Sequence, residues 1–156
     1  MGIKHELHAP SDSEWPEYHS IRRRVLFENR RDVYIENHPD EFKSGHHPMV
    51  LIHSGVVIGV IRVDISERVA WFRRVAIRED LQRSGHGRVL LRLAETFAQN
   101  KGCNEARSNV ALEAVGFYER CGYSRDSSTF AETGSVSMRK PLWRSEGNVL
   151  AQEAIR

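Results

Sequence analysis

The chain has 156 residues, the size of one domain with an independent core, and its 40% hydrophobic and 28% charged residues exclude disordered, collagen-like and disulfide-scaffold classes. Its longest apolar runs are too short to span a bilayer, and Met1–Glu6 has no apolar stretch behind Lys4, so neither a membrane segment nor a secretory signal is expected. A net charge of +2 with both signs interspersed gives no nucleic-acid footprint, and two cysteines, Cys103 and Cys121, in an unexported chain imply reduced thiols in a cytoplasm.

From Glu14 to Arg31, Trp15, Tyr18, Ile21, Val25 and Leu26 fall near helical spacing, with Ser11 or Asp12 available as a cap. Residues 31–48 are polar and carry Pro39, Gly45 and Pro48, which predicts a loop with at most one short helix. The period then changes. Met49–His53 and Val56–Ile65 are rich in β-branched residues around Ser54-Gly55 and read as a hairpin, and Arg68–Ile77 continues as a third strand. Leu90, Leu93, Ala94 and Phe97 define a helix that buries one face and stops before Gly102. A short strand is predicted over Glu105–Val110, a helix over Ala111–Arg120, and a last strand pair over Tyr123–Ser128 and Ser135–Met138, joined by a turn containing Gly134. The order is a strand, helices, an antiparallel meander, a helix, a strand, a helix and a strand pair. That is an α+β domain with a central, mainly antiparallel sheet. The domain is expected over residues 1–142. The tail from 143 to 156 carries Val149, Leu150, Ala154 and Ile155, the pattern of a short helix that either packs on a partner subunit, as in a homodimer, or frays.

Between the meander and the strong helix lies Gln82-Arg83-Ser84-Gly85-His86-Gly87-Arg88. A helix entrance offers unpaired N–H groups and partial positive charge, and glycine lets a phosphate approach the backbone, so this segment is an anion cradle in chemical terms. An ordinary glycine turn explains it equally well when it is read alone. It is not a dinucleotide fingerprint, because the third glycine position is Leu90, and no Gly-Lys-Ser/Thr triplet of a nucleoside-triphosphate loop occurs.

The loop with Gln82, Gly85 and Gly87 resembles the signature of the GNAT superfamily of acyl-CoA-dependent N-acyltransferases: Arg or Gln, two residues, Gly, one residue, Gly or Ala. Downstream, Asn109, Ala114, Phe117, Tyr118, Gly122 and Tyr123 are similar to the family's second element, in the right order. The resemblance covers most of residues 3–142. It implies a sheet splayed at the cofactor, and transfer of an acetyl group from acetyl-CoA to a small-molecule or peptide amine in a ternary complex. It equally admits a non-catalytic acyl-CoA sensor on the same fold.

By that resemblance, main-chain atoms of Val75 and Ile77 pair with the pantetheine arm. The backbone from Arg83 to Arg88, including Ser84, Gly85, His86 and Gly87, holds the pyrophosphate, with charge added by Arg83 and Arg88 and a hydroxyl by Ser84. The His86 side chain is expected to face solvent. Tyr118, a phenol of ordinary pKa about 10, is the acid for the departing thiolate, Phe117 lies beside the cofactor, and Asn109 hydrogen-bonds pantetheine or acceptor. Many relatives carry a glutamate base two residues before the position of Val75, but here that residue is Arg73, which cannot accept a proton near neutral pH. Glu132 is then the first candidate base, since Phe130–Gly134 resembles a Phe-x-Glu-x-Gly segment of one subgroup, although the Ile-x-His that follows there is absent. Glu28 is the second. Arg73 facing the acceptor would favour a substrate with a carboxylate or phosphate beside its amine. The histidines show no metal-ligand spacing in the linear sequence, so no metal is expected.

Overall fold

The computed structural model describes residues 4–28, 33–126 and 134–143. A seven-stranded sheet has the order β1-β2-β3-β4-β5-β7-β6. The strands are β1 (His5–His8), β2 (His46–His53), β3 (Val56–Ser66), β4 (Val69–Ile77), β5 (Glu105–Ala111), β6 (Ser124–Arg125) and β7 (Ser135–Pro141). Every pairing is antiparallel except β4 with β5, so the α+β expectation holds. The β2–β3–β4 meander forms where β-branched residues alternate between the two faces. Ile58, Ile61 and Val63 point to one core, and Val57 and Val60 to the other. β2 begins three residues earlier than the sequence pattern indicates, because His46 and His47 pair with Asp64 and Val63 at the far end of β3. β6 is only two residues long among the described residues, shorter than the predicted Tyr123–Ser128.

α1 (Trp15–Ile21) begins with Pro16 in its first turn, where the missing N–H costs nothing. No side chain of Ser11 or Asp12 caps it. Instead the Ser11 carbonyl accepts from the amides of Glu14 and Trp15, and the Ser11 amide donates to the Glu14 carboxylate at 2.9 Å. The helix widens into a π-helical turn over Arg22–Phe27. α2 (His86–Asn100) buries Leu90, Leu91, Ala94 and Ala98, while Leu93 and Phe97 flank the core only partly covered. The stripe is thus rotated from the predicted one. α3 (Val115–Arg120) follows a 3₁₀ turn over Leu112–Ala114. α2 and α3 cover one face of the sheet, where Phe72, Leu90, Tyr118 and Met138 belong to the larger core. Tyr18 and Ile21 of α1, with Val50 and Val60, make the smaller core on the opposite face.

The α1 face also holds a buried ionic cluster. Glu41, 2% exposed, accepts from Tyr18 Oη at 2.6 Å, from Arg22 at 2.5 Å and from Arg62 at 3.3 Å. Burial acts to raise the Glu41 pKa, but the Tyr18 hydrogen bond and the Arg22 and Arg62 charges outweigh it and hold the carboxyl below its ordinary value. The cluster pins residues 39–42 and α1 to β3. Glu41→Gln keeps the shape and leaves the buried Arg22 guanidinium without its carboxylate, while Arg62 keeps Asp64, so it should cost about 3–5 kcal/mol in urea unfolding at neutral pH. Because the folded pKa is depressed, the carboxylate's contribution is complete above the unfolded value near 4.5 and is lost as pH falls through the folded one. The gap between wild type and variant should therefore narrow in acid.

Candidate active site

β4 and β5 pair in parallel only through Val69 with Glu105, Ala70 with Ala106 and Trp71 with Arg107. Beyond those three pairs the strands diverge, and no strand pairs with the β5-facing edge of β4 from Phe72 to Ile77 among the described residues. A bulge accompanies the divergence. Opposite Ile61 of β3, β4 carries one extra residue around Arg74, whose φ is +56°. At the vertex of the wedge the Ser108 hydroxyl donates to the Phe72 carbonyl at 3.0 Å, replacing the main-chain bond that would have continued the ladder. Ser108 is a site residue that the motif comparison misses. The available signal was a lone serine at a core-facing strand position between Ala106 and Val110, both buried.

Tyr118 projects from α3 to this vertex. It is 6% exposed, lies beside Ser108, and packs edge-on against Phe117 and Tyr123. Burial pushes its phenol up to about 12, with the nearby Ser108 hydroxyl offsetting part of the rise. The ordinary value of about 10 expected from residue type is corrected accordingly. Tyr123 Oη donates to Glu95 at 2.8 Å, and Lys140 bridges Glu95 and the Cys121 carbonyl, both at 2.9 Å, which fixes α3 against α2 and β7.

The glycine loop joins the open edge of β4 to the start of α2. The Gln82 side-chain amide donates to the Ile77 carbonyl at 2.9 Å, so it ties the loop to the strand end. Arg83, Ser84 and Arg88 are exposed. Gly85 occupies the N-cap at φ +89°, and no side chain caps the helix. The first-turn amides of α2 therefore lie open beside two exposed guanidinium groups, an arrangement suited to an anion. Gly87 has a second reason to be glycine, because a Cβ there would lie 3.1 Å from the Phe117 ring. The solvent-facing expectation for His86 is corrected. Its ring is half-buried and turned toward β1 and β2, 2.9 Å from His5 Nε2.

Val75 is half-buried and Ile77 buried, both in the larger core, which leaves their main chains at the open edge. Asn109 is exposed on β5 beyond the vertex. Arg73 lies on the α1 face, its guanidinium carbon 4.7 Å over the Trp71 ring and its Nε 3.7 Å from Asp64. Both oxygens of Asp64 are already held by the fork of Arg62, at 2.7 and 2.8 Å. Arg107 stacks on Trp71 as well and pairs with Glu105 at 3.0 Å. Glu28 is exposed and closes the π-helical turn through its amide. Glu132, with the Phe130–Thr133 segment, lies outside the described residues. A surface hollow of about 610 Å³ lies on the α1 side of the turn after β4, where Glu17, Glu79 and Asp80 offset the charge of Arg24 and Arg78.

The model of the acetyltransferase (GNAT) family matches residues 6–123. The chain belongs to this family. A Lactobacillus plantarum protein, an N-acetyltransferase by inference, superposes with a TM-score of 0.76 at 26% identity over 92% of this chain and all of that one. A Bacillus subtilis (strain 168) protein, an acetyltransferase by inference, is 26% identical over 115 residues, 72% of this chain and 78% of its own length. The PaiA N-acetyltransferase of Thermoplasma acidophilum, solved in complex with coenzyme A, shares the fold at 17% identity and a TM-score of 0.71, covering 88% of this chain and 99% of that one.

Gly87→Val should lower stability by about 1–3 kcal/mol through overpacking on Phe117. A double-mutant cycle with Phe117→Ala, read by urea unfolding, should recover part of that loss because the two changes share one contact.

Proposed function

We propose that this GNAT protein transfers an acetyl group from acetyl-CoA to a primary amine by direct attack within a ternary complex. The observation that carries the reading is the run of the β4 edge, covered by no strand among the described residues, into the uncapped start of α2, with the Tyr118 phenol at the vertex between β4 and β5. A strand edge that no neighbouring strand covers suits the amides of a pantetheine arm, with Val75 supplying main-chain groups and Ile77 its amide, since Gln82 holds the Ile77 carbonyl. The open amides from Arg83 to Arg88 suit the pyrophosphate. Gln82 and Phe117 act here as positioning residues, one anchoring the loop to Ile77 and the other supporting Gly87.

In the reaction the amine lone pair attacks the thioester carbonyl carbon, the C–S bond breaks, and the sulfur leaves as a thiolate that takes a proton. The amine nitrogen gives up one proton to a base. Tyr118 donates to the sulfur: burial keeps its hydroxyl protonated at neutral pH, and the same burial raises the proton affinity of a thiolate formed beside it. Ser108, held by its bond to the Phe72 carbonyl, acts as a positioning residue beside the phenol. Neutral amine entering the site, with Glu132 or Glu28 as the carboxylate acceptor, completes the proton balance. Asn109 hydrogen-bonds pantetheine or acceptor from the far wall of the wedge.

Tyr118→Phe should slow the chemical step by on the order of tenfold to a thousandfold while calorimetric CoA binding stays near wild type. An unchanged rate, with chemistry shown to limit turnover, would remove Tyr118 as the acid. Incubation with acetyl-CoA and a panel of amines should release free CoA. Binding of acetyl-CoA with no turnover on any amine would favour the sensor reading instead.

The acceptor reading rests on Arg73. With Asp64 already engaged by Arg62, the Arg73 guanidinium keeps donors available on the α1 face, and Arg107 lies on the same ring of Trp71. These charges suit an amine that carries a carboxylate or phosphate. Arg73→Gln should raise KM for such acceptors about tenfold with a smaller change in kcat. A wild-type preference for polycationic amines over amino acids would overturn this assignment.

A further inference from the structure

Three histidines that are remote in sequence meet at the edge of the sheet beside the glycine loop. His5 of β1 and His53 of β2 are directly opposed in register, and their rings stack with centroids 4.1 Å apart and planes 17° from parallel. His86, the first residue of α2, closes the group from above, its ring centroid 5.1 Å from each of the other two. His5 Nε2 and His86 Nδ1 are 2.9 Å apart, and one ligand-capable nitrogen from each residue lies within 4.8 Å of the other two. The Nδ1 of His53 is buried with no hydrogen-bond partner. We propose that His5, His53 and His86 form a binding site for a first-row divalent transition-metal cation, with Zn²⁺ as the reference ion and water in the remaining position.

The chemistry of the donor set supports this choice. Three imidazoles supply borderline nitrogen ligands and no oxygen donor, which favours Zn²⁺, Ni²⁺ or Cu²⁺ and disfavours Mg²⁺ and Ca²⁺. Ligand nitrogens on a tetrahedral zinc sit roughly 3.3 Å apart, given Zn–N bonds of about 2.0–2.1 Å. The His5–His86 pair must open slightly to reach that spacing, and no pair need close by more than about 1.5 Å, movements within the reach of side-chain rotation. All three rings are half-buried, so the cluster is shielded yet open to an entering ion. Without a cation the group is poorly satisfied, because one short contact joins two rings and a buried nitrogen of the third is left over. A bound cation would tie three elements together, namely the two strands at this end of the sheet and the N-terminus of α2. No linear ligand motif marks the site, since the three residues converge only through the β1–β2 pairing and the seating of α2.

The test uses untagged full-length protein, stripped with a chelator and dialysed, and titrated with ZnCl₂ by calorimetry. One equivalent should bind, and at a hundredfold excess over Kd the melting midpoint should rise by about 5–10 °C. His5→Ala and His53→Ala should each weaken Zn²⁺ binding about a hundredfold and abolish the thermal shift, whereas His47→Ala should leave both unchanged. The wild type supplies an independent readout. Zn²⁺ should protect His5, His53 and His86 from diethyl pyrocarbonate, as mapped by peptide mass spectrometry. The assignment is overturned by absence of stoichiometric Zn²⁺ binding, by wild-type affinity in the His5 and His53 variants, or by protection of other histidines instead.

Discussion

The divergence of β4 from β5 after Trp71 and Arg107 is the constraint on which the candidate site depends. A parallel pair buried between helices would ordinarily continue its ladder, because each unpaired amide or carbonyl in such a place is costly. Here the ladder stops where the Ser108 side chain, and not a main-chain amide, satisfies the Phe72 carbonyl. The bulge at Arg74 then turns the strand. What remains is an edge that no strand covers among the described residues, at a place where a buried phenol and a glycine loop also converge.

The two faces of the sheet solve different problems. Beneath α2 and α3 the core is almost wholly apolar, and its polar members are few: Ser108 bridges the strands, and the Tyr123–Glu95–Lys140 group locks α3 in place at the margin. Rigid seating of α3 matters because Tyr118 reaches the vertex only if that short helix holds its position. On the other face, Tyr18, Arg22, Glu41, Arg62 and Asp64 form a network that breaks severely when one member is lost, because the remaining charges stay buried. Such a network contributes less to net stability than to a defined arrangement of residues 39–42 and α1 over the sheet. Arg73 sits at its margin, over Trp71 and 3.7 Å from Asp64.

The glycine loop shows how one residue serves two constraints. Gly85 is required by its left-handed backbone, and Gly87 by the approach of the Phe117 ring. Motif matching reads both as making room for phosphate, whereas packing alone already demands the second. Its neighbour His86 likewise belongs as much to the β1–β2 edge as to the loop.

Much of the architecture was legible in the chain itself. The alternation of β-branched residues at 49–65 and the stop at Gly102 follow from local periodicity and backbone freedom, and local rules carry them without knowledge of neighbours. The Gln82–Arg88 loop and the Phe117-Tyr118 pair stood out for the same reason, since residue type and spacing are properties of the sequence. Tertiary structure decided everything that depends on distance between remote segments. It rotated the buried stripe of α2 onto Leu91 and Ala98, raised the Tyr118 phenol to about 12 by burial, made Ser108 the bridge at the vertex, and set Arg73 over Trp71 beside an Asp64 already held by Arg62. It also brought His5, His53 and His86 together. Burial and convergence are sums over the whole fold, and a linear pattern records neither.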